Sequence, residues 1–366
     1  MRRDSESIKR TLEAHTAPAA SELVHVEEDG AVRCVCCGNR CLIAPGESGI
    51  CRVRANVNGE LRVPWNYVAG LHVDPIEKKP FFHALPGSEA LSYGMLGCNL
   101  HCAFCQNWIS SQTLRDPEAG ASIHPTTADR LVRIAVAERT PIMVSTYNEP
   151  LITSDWSAAI FRKAKAHGIL CGYVSNGHAS PEVLAFLRPV MDLFKIDLKT
   201  FDPANYRSLG CELRSVLDTI ERVYAMGFWT EIVTLVVPGF SDSEEQLRGI
   251  AKFIAGVSPD IPWHVTAFRP QYRSKDTAAT MPADLDRAYE TGKEAGLHFV
   301  YAGNLPGSVG DRESTFCPGC GARLIHRVGF RVRENRITDG ACPDCGRSIP
   351  GVWEQRTTAL HRAARS

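Results

Sequence analysis

Three cysteines, Cys98, Cys102 and Cys105, stand at C-x3-C-x2-C spacing on a short stretch over residues 97–105, just after the apolar run 91–96. Three thiolates that close can hold three corners of an iron–sulfur cube. The fourth iron then has no protein ligand. An open metal position is what a site needs to grip a small molecule and pass it an electron, by the same logic that keeps a coordination position free in catalytic zinc sites. The competing readings are a zinc knuckle or three unrelated buried thiols. Structural zinc takes four ligands and the run supplies three thiols. His101 lies inside the tight loop, where its ring is expected to point outward.

Two more cysteine sets flank this trio. Cys34-x2-Cys37-x3-Cys41-x9-Cys51 is a complete four-thiolate set, with Pro45-Gly46 and Ser48-Gly49 turning the chain back. Zinc and a second iron–sulfur cluster both fit it, and spacing does not separate them. Cys36 is an extra thiol beside Cys37 and leaves one ligand of this set ambiguous. In the tail, Cys317-Pro318-Gly319-Cys320-Gly321 and Cys342-Pro343-Asp344-Cys345-Gly346 form two C-P-x-C-G knuckles, with 21 residues between Cys320 and Cys342. This pattern favours zinc over iron. Leu324, Val328 and Phe330 between the knuckles suit a hairpin, so the tail reads as a zinc-ribbon-like segment. Cys171 and Cys211 stand alone and read as buried small residues.

Something must bring these loops together. Between residues 91 and 301, short apolar runs at 91–96, 142–146, 169–175, 193–196, 231–237, 263–268 and 298–301 alternate with amphipathic helical patterns. Thr127 opens one helix, Ser180-Pro181 another, and Asp242 with Glu245 is spaced as a capping box for a third. Gly168 and Gly296 stand where helices should stop. Such alternation implies a parallel sheet. The expected fold class is α/β, a partial (β/α)6 barrel with an N-terminal cysteine-rich segment and a C-terminal ribbon. Such barrels place chemistry at the C-terminal ends of their strands. That rule selects Thr146-Tyr147-Asn148-Glu149-Pro150, Ser175-Asn176, the run Asp192 to Lys199 with Lys195, Asp197 and Lys199 alternating with apolar residues, Val237-Pro238-Gly239, and His264. Charges on a strand expected to be buried need partners or a ligand. Lys78 and Lys79, before the first strand, read as solvated.

The expected domains are a flexible leader over 1–24, a cysteine-rich metal-binding segment over 25–90, a core over 91–305 and the ribbon over 306–366. Lys+Arg and Asp+Glu are balanced at 41 each, so nothing points to a polyanion or an anionic membrane, and nucleic acid is an unlikely partner. The 14 cysteines are clustered as in metal sites, not spread as in a secreted disulfide framework. Met1-Arg2-Arg3 has no apolar segment behind it, and no apolar run approaches the roughly 18 residues of a membrane span. The expected compartment is the cytoplasm.

Together these motifs resemble the radical S-adenosylmethionine (SAM) enzymes of the AmmeMemoRadiSam group, relatives of the enzymes that activate pyruvate formate-lyase. The resemblance covers residues 30–353. It rests on the N-terminal set with Gly49-Ile50-Cys51-Arg52, the trio followed by Gln106-Asn107, Thr146-Tyr147-Asn148-Glu149-Pro150, Asp197-Leu198-Lys199, Val237-Pro238-Gly239-Phe240, the His264 strand, Gly303-Asn304-Leu305-Pro306-Gly307 and the ribbon. It implies an oxidoreductase with a [4Fe-4S] cluster on Cys98, Cys102 and Cys105. SAM would bind with Glu149 at its amino group and Asn148 beside it, Ser175 and Asn176 near the ribose, and Asp197 and Lys199 near the ribose or carboxylate. A low-potential electron donor is implied, and a protein with an AMMECR1 or Memo domain is a candidate partner. The leading expectation is cleavage of SAM to methionine and a 5′-deoxyadenosyl radical that abstracts hydrogen from an unidentified substrate. A glycyl-radical activase and a non-catalytic metal scaffold or electron carrier are the alternatives.

Overall fold

The computed structural model describes residues 11–354. The strands before the trio are β1 (Thr16–Pro18), β2 (Val24–Val26), β3 (Val32–Cys34), β4 (Leu42–Ile43), β5 (Ala55–Val57), β6 (Glu60–Pro64), β7 (Tyr67–Val68), β8 (Gly70–Pro75) and β9 (Glu89–Gly94). After the trio come β10 (His124–Pro125), β11 (Ile142–Ser145), β12 (Leu170–Ser175), β13 (Leu193–Asp197), β14 (Trp229–Val236), β15 (Trp263–Ala267) and β16 (Val300–Gly303). The tail holds β17 (Thr315–Phe316), β18 (Arg323–Val328) and β19 (Arg331–Asn335).

The seven apolar runs become seven neighbouring parallel strands of one sheet, ordered β16-β15-β14-β13-β12-β11-β9. The sequence pattern missed β8, which adds antiparallel to β9 at the edge. Strands buried on both faces read as continuous apolar runs, and all four residues of β11 are buried. The covering helices are amphipathic for the same reason. The helix Ala128–Ala137 buries Ala128, Leu131, Val132 and Ala135, one face at 3.6 spacing. Each large aliphatic side chain buried this way contributes roughly 1.5–3 kcal/mol. Thr127 and Ser180 cap their helices as expected. The third cap is Ser243, one residue later than the capping-box reading. Its side chain accepts from the Gln246 amide, while Asp242 instead accepts from Gly239 N–H at 2.8 Å in the preceding turn.

Small antiparallel sheets flank the parallel one. β1-β6-β5 and β2-β3-β4 lie on the N-terminal side, and β17-β18-β19 form the ribbon. The leader over 1–24 is thus partly tied down: Thr16–Pro18 pairs with β6 and Leu23 is fully buried, because an edge strand and a core leucine lie within it. Residues 1–10 of that leader fall outside the described residues. The ribbon is not an appendage. Phe82, Phe299 and Tyr301 pack with Cys317, Leu324, Ile325, Cys342 and Ile349 in one apolar cluster. Val352 also exchanges backbone hydrogen bonds with the 83–85 strap, at 2.7 and 2.8 Å.

Candidate functional site

The end of β9 is built for close approach. Gly94 permits it: a Cβ there would sit 2.4 Å from the Thr146 carbonyl oxygen and 2.8 Å from the Tyr147 Cβ. Tyr147 itself takes φ +70°, a left-handed backbone that is costly for an aromatic residue and is a feature of functional loops. The trio loop follows. Its Leu100 carbonyl accepts from Gln112 Nε2 at 3.2 Å and from an Arg115 guanidinium nitrogen at 2.9 Å, and the His101 amide donates to the Leu209 carbonyl at 3.1 Å. His101 is exposed, its ring resting over Gly210.

Cys102 is buried, and Cys98 and Cys105 are half-buried. All three line one cavity of about 420 Å³ at the C-terminal ends of the strands. Donors already aim at the sulfurs, as iron–sulfur ligands require. Leu100 N–H donates to Cys98 Sγ at 3.3 Å, and the Ser111 hydroxyl lies 3.3 Å from Cys105 Sγ. Burial raises the Cys102 thiol to about 11 against the pull of the Lys199 ammonium. Metal binding displaces such protons. The residues present therefore fit a cluster held by three thiolates.

Glu149 sits beyond the trio, 2% exposed. Ser175 Oγ donates to it at 2.7 Å, Leu151 N–H at 3.0 Å and Asn176 N–H at 2.8 Å. Burial lifts its carboxyl to about 7 in spite of these donors. A cation beside it would complete the site. Asn148 lines the cavity, but its Oδ1 accepts from Met95 N–H at 3.0 Å, so it also braces the loop. Asn176 Nδ2 donates to Asn99 Oδ1 at 2.7 Å. Asp197 is clamped between Lys195 and Lys199, the latter at 3.1 Å. Burial would raise its carboxyl, but the two ammonium groups hold it at about 2. So Asn148, Glu149, Ser175, Asn176, Asp197 and Lys199 share the trio's cavity.

His264 from the sequence-selected set and several residues beyond it complete the far half. Lys79 is the main correction. It is 4% exposed, not solvated, and bonds to Asp74 at 2.8 Å and the Tyr147 hydroxyl at 3.0 Å. A charged run carries no local sign that tertiary packing will bury one of its members. The floor is Phe82, His264 and Tyr301, and the ribbon supplies Glu313, Gly329 and Phe330 as a wall.

The four ribbon cysteines have Sγ atoms all within 4.8 Å of one another, with 3.6 Å for Cys317–Cys345 and 3.7 Å for Cys320–Cys342. Zinc–sulfur bonds of about 2.3 Å in a tetrahedron match that spacing. In the N-terminal set, Cys34 lies opposite Cys41 across β3 and β4, its amide 2.9 Å from the Cys41 carbonyl. Cys34, Cys37 and Cys51 are buried and mutually near. The Cys36 sulfur is committed to the Leu151 carbonyl at 2.7 Å. Cys171 and Cys211 are buried. Among the described residues, no helix is long and apolar enough to cross a membrane.

Residues 93–254, from the end of β9 through the trio and the strand tips to the helix after β14, match the Radical SAM superfamily. The chain is a radical SAM enzyme. It belongs to the same family as "Uncharacterized protein MJ0808" of Methanocaldococcus jannaschii, to which it is 34% identical over 328 residues, 88% of this chain and 96% of that one. It is also similar to two enzymes over shorter stretches. One is the (2S)-3-sulfopropanediol sulfolyase activating enzyme of Bilophila wadsworthia, 33% identical over 29% of this chain and 36% of that one. The other is the benzylsuccinate synthase activating enzyme of Thauera aromatica, 26% identical over 29% of this chain and 33% of that one. These two matches span about a third of each relative.

Proposed function

We propose that Cys98, Cys102 and Cys105 hold a [4Fe-4S] cluster with one iron left to SAM, and that the enzyme abstracts hydrogen from a substrate in the far half of the cavity. The supporting observation is the continuity of that cavity. One space of about 420 Å³ runs from the three thiols past Glu149 and the Lys195–Asp197–Lys199 cluster to His264 and Tyr301. When bound and reduced, the cluster supplies the electron that cleaves SAM to methionine and a 5′-deoxyadenosyl radical. The chain's own residues position and shield. Glu149 takes the SAM ammonium, Asn148 keeps its loop in place, and Ser175 and Asn176 lie towards the ribose. Asp197 and Lys199 meet the ribose or the carboxylate. The aromatic floor and the ribbon wall exclude water from the radical.

That one cavity is lined by the successive strands β12 to β16 supports the partial-barrel form of the sheet. The resemblance of the motifs supports membership of the AmmeMemoRadiSam group, a cytoplasmic location, a low-potential electron donor and an AMMECR1-domain or Memo-domain protein as partner. The similarity to the two activating enzymes over part of the chain favours a second reading, a glycyl-radical activase. Anaerobic reconstitution, reduction with dithionite and chromatography for 5′-deoxyadenosine test the first reading; a parent enzyme that leaves SAM intact overturns it. A glycyl signal by electron paramagnetic resonance, on adding a candidate protein, would favour the second.

A further inference from the structure

Two of the cysteine sets touch. Gly97, which precedes Cys98, has φ +91°, and a Cβ there would meet the Cys51 carbonyl oxygen at 3.1 Å and Val53 Cγ1 at 2.8 Å. Arg115 spans both loops, donating to the Leu100 carbonyl of the trio loop at 2.9 Å and to the Ile50 carbonyl beside Cys51. Asn99, next to Cys98, belongs to both sites. Its Oδ1 accepts from Asn176, while its buried Nδ2 faces the Cys37 sulfur and reaches no hydrogen-bond partner of good geometry.

A second orphan lies on the far side of the N-terminal thiols. Arg54 is 1% exposed. One guanidinium nitrogen serves Asp155 at 2.5 Å and the Ile152 carbonyl at 3.3 Å. Its Nε and other terminal nitrogen are buried without hydrogen-bond partners, and the Cys34 and Cys36 thiols are near enough to interact with the guanidinium. Buried donors normally find acceptors. Here they surround thiols, and the set is completed when the sulfurs carry negative charge. Both zinc and an iron–sulfur cluster achieve that, but spacing separates them. The ribbon thiols are drawn to single-ion distances. Among the described residues, the N-terminal thiols do not gather within that 4.8 Å limit. A cube holds its thiolates further apart than one ion does, because each sits on a different iron.

Access gives the site a role. The trio opens onto the cavity that SAM and substrate fill, and the Cys51 loop and Asn99 pack against another of its sides.

We propose that Cys34, Cys37, Cys41 and Cys51 hold a second iron–sulfur cluster, and that Asn99 and Arg115 join it to the trio as the route by which an electron enters. This rests on the radical SAM reading of the trio. The step moves one electron and no atoms. A low-potential one-electron carrier of the ferredoxin or flavodoxin class is oxidised, the N-terminal site is reduced and re-oxidised in turn, and the trio's site is reduced. No bond forms or breaks and no proton moves.

The test uses the anaerobically reconstituted full chain. The parent is expected to hold about eight irons and about one zinc. Cys34→Ser/Cys37→Ser is expected to hold about four irons and to release 5′-deoxyadenosine with dithionite. With reduced flavodoxin as the sole donor, its rate falls at least about tenfold below the parent. The paramagnetic resonance of the reduced parent should show two interacting centres, and that of the variant one. If the double variant is insoluble, Cys41→Ser, at the half-exposed position, is read by the same iron count and spectrum. About four irons with two zincs in the parent overturn the proposal, as do equal flavodoxin-driven rates for parent and variant. A parent with eight irons that leaves SAM intact instead sinks the radical SAM reading while keeping the second cluster.

Discussion

His264 Nε2 lies 2.7 Å from Glu231 Oε2, with both side chains buried at the floor of the cavity. Glu231 also accepts from Phe82 N–H, His83 N–H and Trp229 Nε1–H, each at 2.9 Å. Burial works against this carboxylate, yet the His264 bond and the other donors hold its pKa below the usual range. An ionised carboxylate only accepts, so Nε2 of His264 carries the proton and Nδ1 is the acceptor on a ring that lines the cavity. Phe82, edge-on at 4.7 Å, and Tyr301, stacked at 5.1 Å, lock the ring.

Glu231→Gln turns one acceptor into a donor amid four donors. It is expected to lower stability by roughly 1–3 kcal/mol. Thermal unfolding checks this, and an unchanged midpoint would show the network to be dispensable. The iron content should not change, since the network does not touch the trio.

His83 makes stability depend on pH. Its Nδ1 is 2.7 Å from the Pro350 carbonyl and its Nε2 is 2.6 Å from the Tyr301 hydroxyl. The carbonyl only accepts, so Nδ1 donates and Nε2 accepts from Tyr301 in a neutral ring. Burial pushes its pKa down to about 4 against the pull of Glu231 and the Pro350 carbonyl. An unfolded histidine titrates near about 6.5, so between these values the unfolded chain binds more protons. Stability is therefore present above about 6.5 and is lost as pH falls towards 4, by about 2–4 kcal/mol over the window. Unfolding followed by tryptophan fluorescence from pH 7 to 4.5 should show a shallower slope in His83→Gln; an equal slope assigns the loss to another group.

Glu149→Gln keeps the shape of the strand tip and removes the negative charge. SAM binding by equilibrium dialysis is expected to weaken about 10–100-fold, the worth of a charged hydrogen bond. Iron content should be retained. Unchanged affinity would move the ammonium site elsewhere.

Asp197→Ala leaves Lys195 and Lys199, whose side chains are 5% and 16% exposed, without their shared counter-charge. Removing one partner of a buried ion cluster costs roughly 3 kcal/mol. Denaturant unfolding of the protein without SAM measures it. A loss confined to SAM binding, with stability intact, would mean that the lysines find another partner.

The ribbon should hold about one zinc per chain, lost in Cys317→Ser/Cys342→Ser. Without the metal, the ribbon loses the cross-link that carries Phe330 and Glu313 to the cavity. Limited proteolysis between β17 and β19 should accelerate while iron content stays the same. Zinc retained in the variant would place it in the N-terminal set.

The cysteine sets, the alternating strand and helix order and the capping residues were legible because each is written in short-range spacing. Ligand gaps of two or three residues, apolar runs and a serine before proline act within one loop or one turn. The wider arrangement was decided by tertiary packing. Lys79 reads as a surface lysine until Asp74 and Tyr147 are brought to it. Arg327 is fully buried only because Glu77, Thr315 and the Phe82 carbonyl, up to 250 residues away in sequence, meet it. Arg54 meets Asp155, and Asn99 meets Asn176, only when stretches 101 and 77 residues apart are packed together. Charges and amides are stable inside a protein only with partners, and a partner far along the chain leaves no periodic trace. The sequence by itself therefore determined which chemistry this protein carries, and the folded chain alone decided which groups surround it.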